Sequence, residues 1–194
     1  MTPRLILASS SPYRRELLKR LGRKFEVIIP EVDESPLADE PPSELVARLA
    51  EAKARSAGRG LEHSLVIGAD QVAVLDGRIV GKPRNHADAV AHLQAASGRV
   101  VTLYTGLVVL NVDSGRVRSA VVPFRVEFRI LDSGTIQRYL EIERPYDCCG
   151  SLKAEGLGIA LLRRLEGEDP NALIGLPLIR LVELLSAEGF PVLG

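Results

Sequence analysis

Three consecutive hydroxyls, Ser9, Ser10 and Ser11, run directly into Pro12, Tyr13, Arg14 and Arg15. The first turn of a helix presents free backbone N–H groups and the positive end of the helix dipole, which together hold anions. Hydroxyls add donors, and a guanidinium adds a planar fork matched to phosphate oxygens. The stretch is either a capped surface helix with two solvated arginines or a phosphate site; one serine is enough for the cap, and three exceed that need. Glu31, Asp33 and Glu34 stand in the acidic, proline-rich stretch EVDESPLADEPP. Carboxylates clustered there either face solvent or hold a hard divalent cation through oxygen. Lys53 occupies a position due for an apolar residue, four after Leu49 and seven after Val46. Its stem either snorkels to water or carries the ammonium inward to meet a phosphate. Asp70 follows the apolar run LVIGA, where its carboxylate is either capped by local N–H groups or displayed at a cleft, as open sheets display side chains to ligands. Lys82, in the turn GKP twelve residues on, is expected to fold back towards Asp70 through a hairpin, as a plain salt bridge or as a base beside a phosphate-binding cation.

The elements that must position these residues follow from pattern and punctuation. Arg4 to Ser9 is mostly apolar, as a strand buried on both faces would be. Ser11 is a good N-cap, Pro12 suits the first helical position, and Gly22 ends that helix. KFEVIIP predicts a second strand, and Ser43 is the expected cap of a long helix, SELVARLAEAKARSAG, with Val46, Leu49, Ala50 and Lys53 on one face. A strand through Asp70 enters a hairpin at Asp76-Gly77. HADAVAHLQAASG predicts a helix closed by Gly98. Two long strands joined through Asp113-Ser114-Gly115 come next, the second alternating Phe124, Val126 and Phe128 with Arg125, Glu127 and Arg129, so that one face is wet. Ser133 is the expected cap of the following helix, IALLRRL reads as a strand, and a last helix spans Pro177 to Glu188. Strands and helices mix without strict alternation, which predicts an α/β fold with a mixed twisted sheet flanked by helices. Neither a Rossmann glycine fingerprint nor a P-loop is present.

Composition limits the classes. The 194 residues suffice for one large domain or two closely joined lobes. Lys and Arg number 25, as do Asp and Glu, so no overall charge favours nucleic acid or an anionic membrane, and any anion must meet a local cluster. The apolar runs have strand length rather than membrane length, and the start MTPRLILASS is too short in apolar residues for a signal peptide. Cys148 and Cys149 are adjacent, which suits neither an ordinary disulfide nor the usual metal spacings. His63, His86 and His92 form no relay pattern. These features predict a soluble cytoplasmic protein, and the two long strands offer an edge or face for a homodimer.

Taken in order, LILASSSPYRRELL, PEVDES, the helix bearing EAK, IGADQVAVLDGRIVGKP, YTGL, CGSLKAEGLG and GEDPNALIGLPL resemble the Maf family of nucleoside triphosphate pyrophosphatases over nearly the whole chain. ADQV, SPYRR and SLKAEG resemble the subgroup acting on 7-methyl-GTP. The resemblance implies a mixed α/β fold with a cleft, a divalent metal such as Mg2+ or Mn2+, and hydrolysis of a nucleotide to its monophosphate and diphosphate. It further implies Asp70 as general base, with Ser10, Arg14, Lys53 and Lys82 binding substrate, and Glu34 and Asp70 at the metal. Positions that separate the subgroups correspond to Tyr13, Gln71 and Glu155. The chemistry agrees: N7-methylguanine is cationic, and an aromatic ring at Tyr13 stacks on it with cation–π attraction. A carboxylate at Glu155 accepts from guanine's two adjacent Watson–Crick donors and repels the acceptors of uracil or thymine. Two other readings remain: a dTTP/UTP pyrophosphatase of the same family, and a nucleotide-sensing septum regulator without catalysis.

Overall fold

A computed structural model describes residues 2–194. Seven strands and five helices follow in the order β1 (Arg4–Ala8), α1 (Pro12–Lys19), β2 (Glu26–Ile28), α2 (Pro42–Gly58), β3 (Ser64–Leu75), β4 (Arg78–Val80), α3 (His86–Ala96), β5 (Val100–Asn111), β6 (Val117–Phe128), α4 (Ser133–Glu143), β7 (Leu162–Glu166) and α5 (Leu178–Ala187). Short 3₁₀ turns at Cys149–Ser151, Leu157–Leu161 and Pro170–Leu173 punctuate the second half. The strands make a mixed sheet in the order β2-β1-β3-β5-β6-β7, with β4 paired to β3. β1 runs parallel to both β2 and β3, whereas β3–β4 and β6–β7 are antiparallel. This is the expected α/β fold with a mixed sheet.

The chain packs as two compact units. The first takes the chain up to Gln71, Thr105–Val122 and Asp169–Gly194; the second takes Val72–Tyr104 and Pro123–Glu168. In the first unit the order β2-β1-β3 forces the chain to reverse direction across the sheet. It passes from β1 to β2 on one side, then crosses β1 to reach β3 on the other. Right-handed crossovers then put α1 and α2 on opposite faces. The core bears this out residue by residue. Leu17 and Leu18 of α1 pack with Leu5, Leu7, Leu65, Ile67 and with Leu181 and Leu185 of α5. Ala50, Ala54 and Ala57 of α2 pack with Ile6, Ala8 and Val66 on the other face. Burial of β1 on both faces explains its unbroken apolar run.

Two glycines bring α2 down onto the sheet. A Cβ on Gly68 of β3 would collide with the Ala50 carbonyl oxygen and lie 3.0 Å from Ala54 N. A Cβ on Gly106 of β5 would collide with the Val46 carbonyl, so helix backbone meets strand backbone at both points.

In the second unit, Asp76 and Gly77 both adopt positive φ (49° and 77°) between β3 and β4, the two-residue turn that matches strand twist. Phe124, Val126 and Phe128 of β6 are buried while Arg125 is exposed, as the alternation predicts. Three expectations shift. α2 begins at Pro42 with Pro41 at the cap position, because two prolines preset the entry and leave Ser43 inside the first turn. α4 is capped by Asp132, whose side chain accepts from Thr135 N–H, so Ser133 is the first helical residue rather than the cap. IALLRRL starts as a 3₁₀ turn and becomes strand only from Leu162.

Candidate active site

The reversal of strand order lies between β1 and β3, and open sheets bind ligands beyond the carboxyl ends of strands at such a point. The register pairs Ala8 with Gly68, so Ser9–Ser11 leave β1 level with Asp70, which lies two residues beyond Gly68 within the longer strand β3. The three serines divide their work. Ser9, buried, accepts from Ser11 N–H at 3.1 Å and tightens the turn. Ser11 caps α1 by accepting from Arg14 N–H at 3.3 Å. Ser10 is the exposed one of the three. Two of the hydroxyls therefore shape the turn, and Ser10 is the one displayed.

Tyr13 and Arg14 are half-buried in the first turn of α1. Arg14 Nε donates to the Gly175 carbonyl at 2.8 Å, tying the turn to the segment after Asp169. Gln71 Nε2 donates to Thr105 Oγ1 (2.9 Å) and to the Ala172 carbonyl (2.6 Å), and Thr105 donates to the same carbonyl at 3.0 Å. Asp169, buried, holds that segment from below: Oδ1 accepts from Asn171 N–H, and Oδ2 accepts from Ile179 N–H at the start of α5. Asp169 thus supplies the cap that Pro177 cannot give α5. Arg15 is placed differently: it lines an open groove with Arg4, Lys19, Arg23 and Lys24.

Lys53 is the centre of the first unit's polar site. Its side chain is only 8% exposed, and its Nζ lies 2.6 Å from Asp70 Oδ1 and 2.8 Å from Glu34 Oε1. Asp70 is similarly enclosed at 9%, while Glu34 is 61% exposed. The inward choice for Lys53 follows from the close approach of α2 at Gly68, one helical turn from the lysine. Asp70 pairs with Lys53, and Lys82 is exposed after β4. Two hard carboxylate donors converging on one cationic centre suit a divalent ion completed by water and phosphate oxygens. Among the described residues no cluster of three or more His, Cys, Asp or Glu gathers, so protein groups alone would not enclose such an ion.

Glu34 is held in place by its own loop. Arg48 of α2 donates to both oxygens of Glu40 (2.6 and 2.7 Å) and to the Ser35 carbonyl at 3.1 Å. The Arg48 guanidinium lowers the Glu40 carboxyl from 4.5 to about 2. Since folding depresses this pKa, the clamp contributes fully above about 4.5 and is lost as pH falls towards 2. Protection of the Leu37 amide, measured against its intrinsic exchange rate at each pH, is expected to hold at pH 5 and to decline steadily below pH 4. An Arg48→Met variant should exchange fast throughout; fast exchange in the unsubstituted chain at pH 5 would contradict the clamp.

In the second unit, Glu155 is exposed in the loop between the 3₁₀ turns, yet neighbouring protein desolvates its carboxyl and raises its pKa. Tyr139 OH donates to the Ser151 carbonyl (3.1 Å) and accepts from Lys153 N–H (3.0 Å). Burial pushes the Tyr139 phenol up. Glu143 pairs with Lys153 Nζ at 2.6 Å. Cys148 and Cys149 are half-buried.

The Maf-like protein family model matches residues 4–188, from β1 through the end of α5. The chain belongs to the Maf family. Relatives of this Maf protein include a 7-methyl-GTP pyrophosphatase of Nitrosococcus oceani, 56% identical over 98% of this chain and 96% of the relative. Proteins of the same name from Pseudomonas aeruginosa (58% identical; 98% and 99%) and Vibrio vulnificus (52%; 98% and 97%) match over nearly the same length. No helix of the described residues is long and apolar enough to cross a membrane. In this Maf chain, residue pattern alone left out Gly68, Gly106, Thr105, Asp169, Tyr139 and Glu143. A glycine inside an apolar strand is the available signal for the first two. Asp before Pro170 is the cap signal for Asp169.

Proposed function

We propose that this Maf protein hydrolyses 7-methyl-GTP to 7-methyl-GMP and diphosphate. The observation that carries the reading is the identity of 52–58% over nearly its whole length to proteins named for that activity. The geometry supports it with a buried ammonium bound to two carboxylates beside a helix N-terminus.

In the proposed reaction a water oxygen bonds to the α-phosphorus, the bond from that phosphorus to the bridging oxygen breaks, and diphosphate leaves. Asp70 takes the proton of the water. Lys53 fixes the Asp70 carboxylate through the 2.6 Å bond, so the base is oriented before substrate arrives. Ser10, Arg14 and Lys82 offer donors and positive charge to phosphate oxygens. Glu34 and Asp70 would hold a divalent cation such as Mg2+ or Mn2+, which when bound supplies Lewis-acid stabilisation of phosphate charge. Tyr13 would stack on the cationic base, and Glu155 would accept from its Watson–Crick donors. Gln71 would act on the same specificity through the Ala172 carbonyl that it holds.

A panel of 7-methyl-GTP, GTP, UTP and dTTP with Mg2+ or Mn2+, products resolved by chromatography, tests this. The expected result is fastest turnover of 7-methyl-GTP, giving 7-methyl-GMP and diphosphate. Faster turnover of a pyrimidine nucleotide would overturn the substrate, and no diphosphate from any nucleotide would overturn the catalysis.

A further inference from the structure

Tyr139 and Glu143 are four residues apart on α4 and therefore share one face of that helix. Between them they grip both ends of one short segment of chain. Tyr139 OH holds the Ser151 carbonyl and Lys153 N–H, while Glu143 holds Lys153 Nζ through Oε1 at 2.6 Å and Leu157 N–H through Oε2 at 2.6 Å. The segment closes on itself, with Gly156 and Gly158 N–H both donating to the Lys153 carbonyl at 3.2 and 3.0 Å. Its path lies so close to Glu143 that a Cβ on Gly156 would sit 2.5 Å from Oε2. Its entry is fixed as well: Ser151 is buried at φ +59°, and its Oγ lies 3.1 Å from His92 Nδ1. Glu155 stands at the middle of this gripped loop, half-way between the two residues that Glu143 holds.

We infer that Glu143 is a positioning residue for substrate choice: by bonding Lys153 and Leu157 together it holds the loop that presents Glu155 in one geometry. This rests on the reading above that Glu155 accepts hydrogen bonds from the base. A carboxylate rewards the correct donor pattern only when its direction is fixed, and a displacement of about 1 Å is worth up to ~10²-fold in such a site. Glu143 itself is turned to the loop; its side chain is 11% exposed and both its oxygens are engaged within the loop.

The test measures kcat and KM for 7-methyl-GTP and UTP with unsubstituted protein, Glu143→Ala, Glu143→Gln and Glu155→Gln. It adds equilibrium binding of 7-methyl-GMP without metal and amide exchange over residues 153–158. Glu143→Ala is expected to lower the ratio of kcat/KM for 7-methyl-GTP over UTP about 10–100-fold, mainly through KM. Binding of 7-methyl-GMP should weaken by a similar factor, and exchange at 153–158 should quicken. Glu143→Gln, which keeps an acceptor for Leu157 N–H, should restore most of the ratio. Glu155→Gln should lower the ratio at least as far as Glu143→Ala. A ratio within twofold of the unsubstituted value in Glu143→Ala would overturn the inference, whatever happens to turnover or melting. Should that variant not fold, Glu143→Asp, one methylene too short to reach both Lys153 and Leu157, carries the test: a ratio within twofold of the unsubstituted value also overturns it. Failure of the underlying reading shows separately, as no preference for 7-methyl-GTP in the unsubstituted protein or an unmoved ratio in Glu155→Gln.

Discussion

Asp70→Asn is expected to lower turnover of 7-methyl-GTP by about 10³-fold or more while leaving nucleotide binding within a few fold. The amide keeps the size of the side chain and an oxygen that still accepts from Lys53, so the packing around β3 has no cause to change. What it removes is the group able to take a proton from water. General-base catalysis contributes about 10²–10⁴-fold, and loss of a carboxylate that would help hold the divalent cation would add to that. Lys53 retains Glu34 at 2.8 Å as a partner, so its ammonium is not left buried without a counter-charge. That second carboxylate is why the variant should fold, since breaking a buried pair outright is strongly destabilising.

The measurement is diphosphate release at saturating nucleotide, with affinity determined by calorimetry and melting recorded for each variant. Turnover within tenfold of the unsubstituted protein would remove Asp70 from the role of base. Glu34→Gln provides the comparison. Its carboxylate is 61% exposed and tethered to Lys53, but it has no assigned proton transfer, so a smaller loss of turnover is expected for it than for Asp70.

Local chemistry was the legible part of this sequence. Ser11 caps α1 and Pro12 opens it because a cap is decided within four residues. The Asp76-Gly77 turn was legible for the same reason, since both residues tolerate positive φ. Helical spacing put Lys53 in an apolar slot but left open whether it snorkels or turns inward, and the structure takes the inward choice. The caps of α2 and α4 were displaced by one or two residues because Pro41-Pro42 and Asp132 compete with the serines that follow them. What local pattern does not carry is the partner. Nothing near Asp70 names Lys53, seventeen residues earlier on a helix that crosses the sheet, and hairpin proximity favoured Lys82 instead. Nothing in SLKAEGLG names Glu143 as the group that closes it. The serine triplet looked redundant as a cap, and two of its hydroxyls turned out to be spent on backbone N–H groups of the turn. Gly68 and Gly106 are visible inside LVIGAD and LYTGLVV, but the helix carbonyls that exclude a side chain there belong to residues 18 and 60 positions earlier.

Gly68→Ala should be the most destabilising of these single changes, by about 3 kcal/mol or more. Added volume in a packed core ordinarily costs about 1–3 kcal/mol, because neighbours shift or adopt poorer rotamers. Here the first atom met is the backbone oxygen of Ala50, with Ala54 N and Cβ both 3.0 Å away, and none of these belongs to a flexible side chain. The only relief is for α2 to lift from the sheet, against the second close approach of Val46 to Gly106. That movement would carry Lys53 away from Asp70 and open the apolar layer formed by Ala50, Ala54 and Ala57 over Ile6 and Val66. Stability and turnover should therefore fall together, with melting lowered by several degrees and activity reduced even well below the melting temperature. Gly77→Ala is the informative control: it is also a glycine-to-alanine change, but open space surrounds its Cβ and only the positive φ resists it, a penalty of about 1–2 kcal/mol. If Gly68→Ala melted within two degrees of Gly77→Ala and kept full turnover, the close packing of α2 on β3 would not be what holds Lys53 against Asp70.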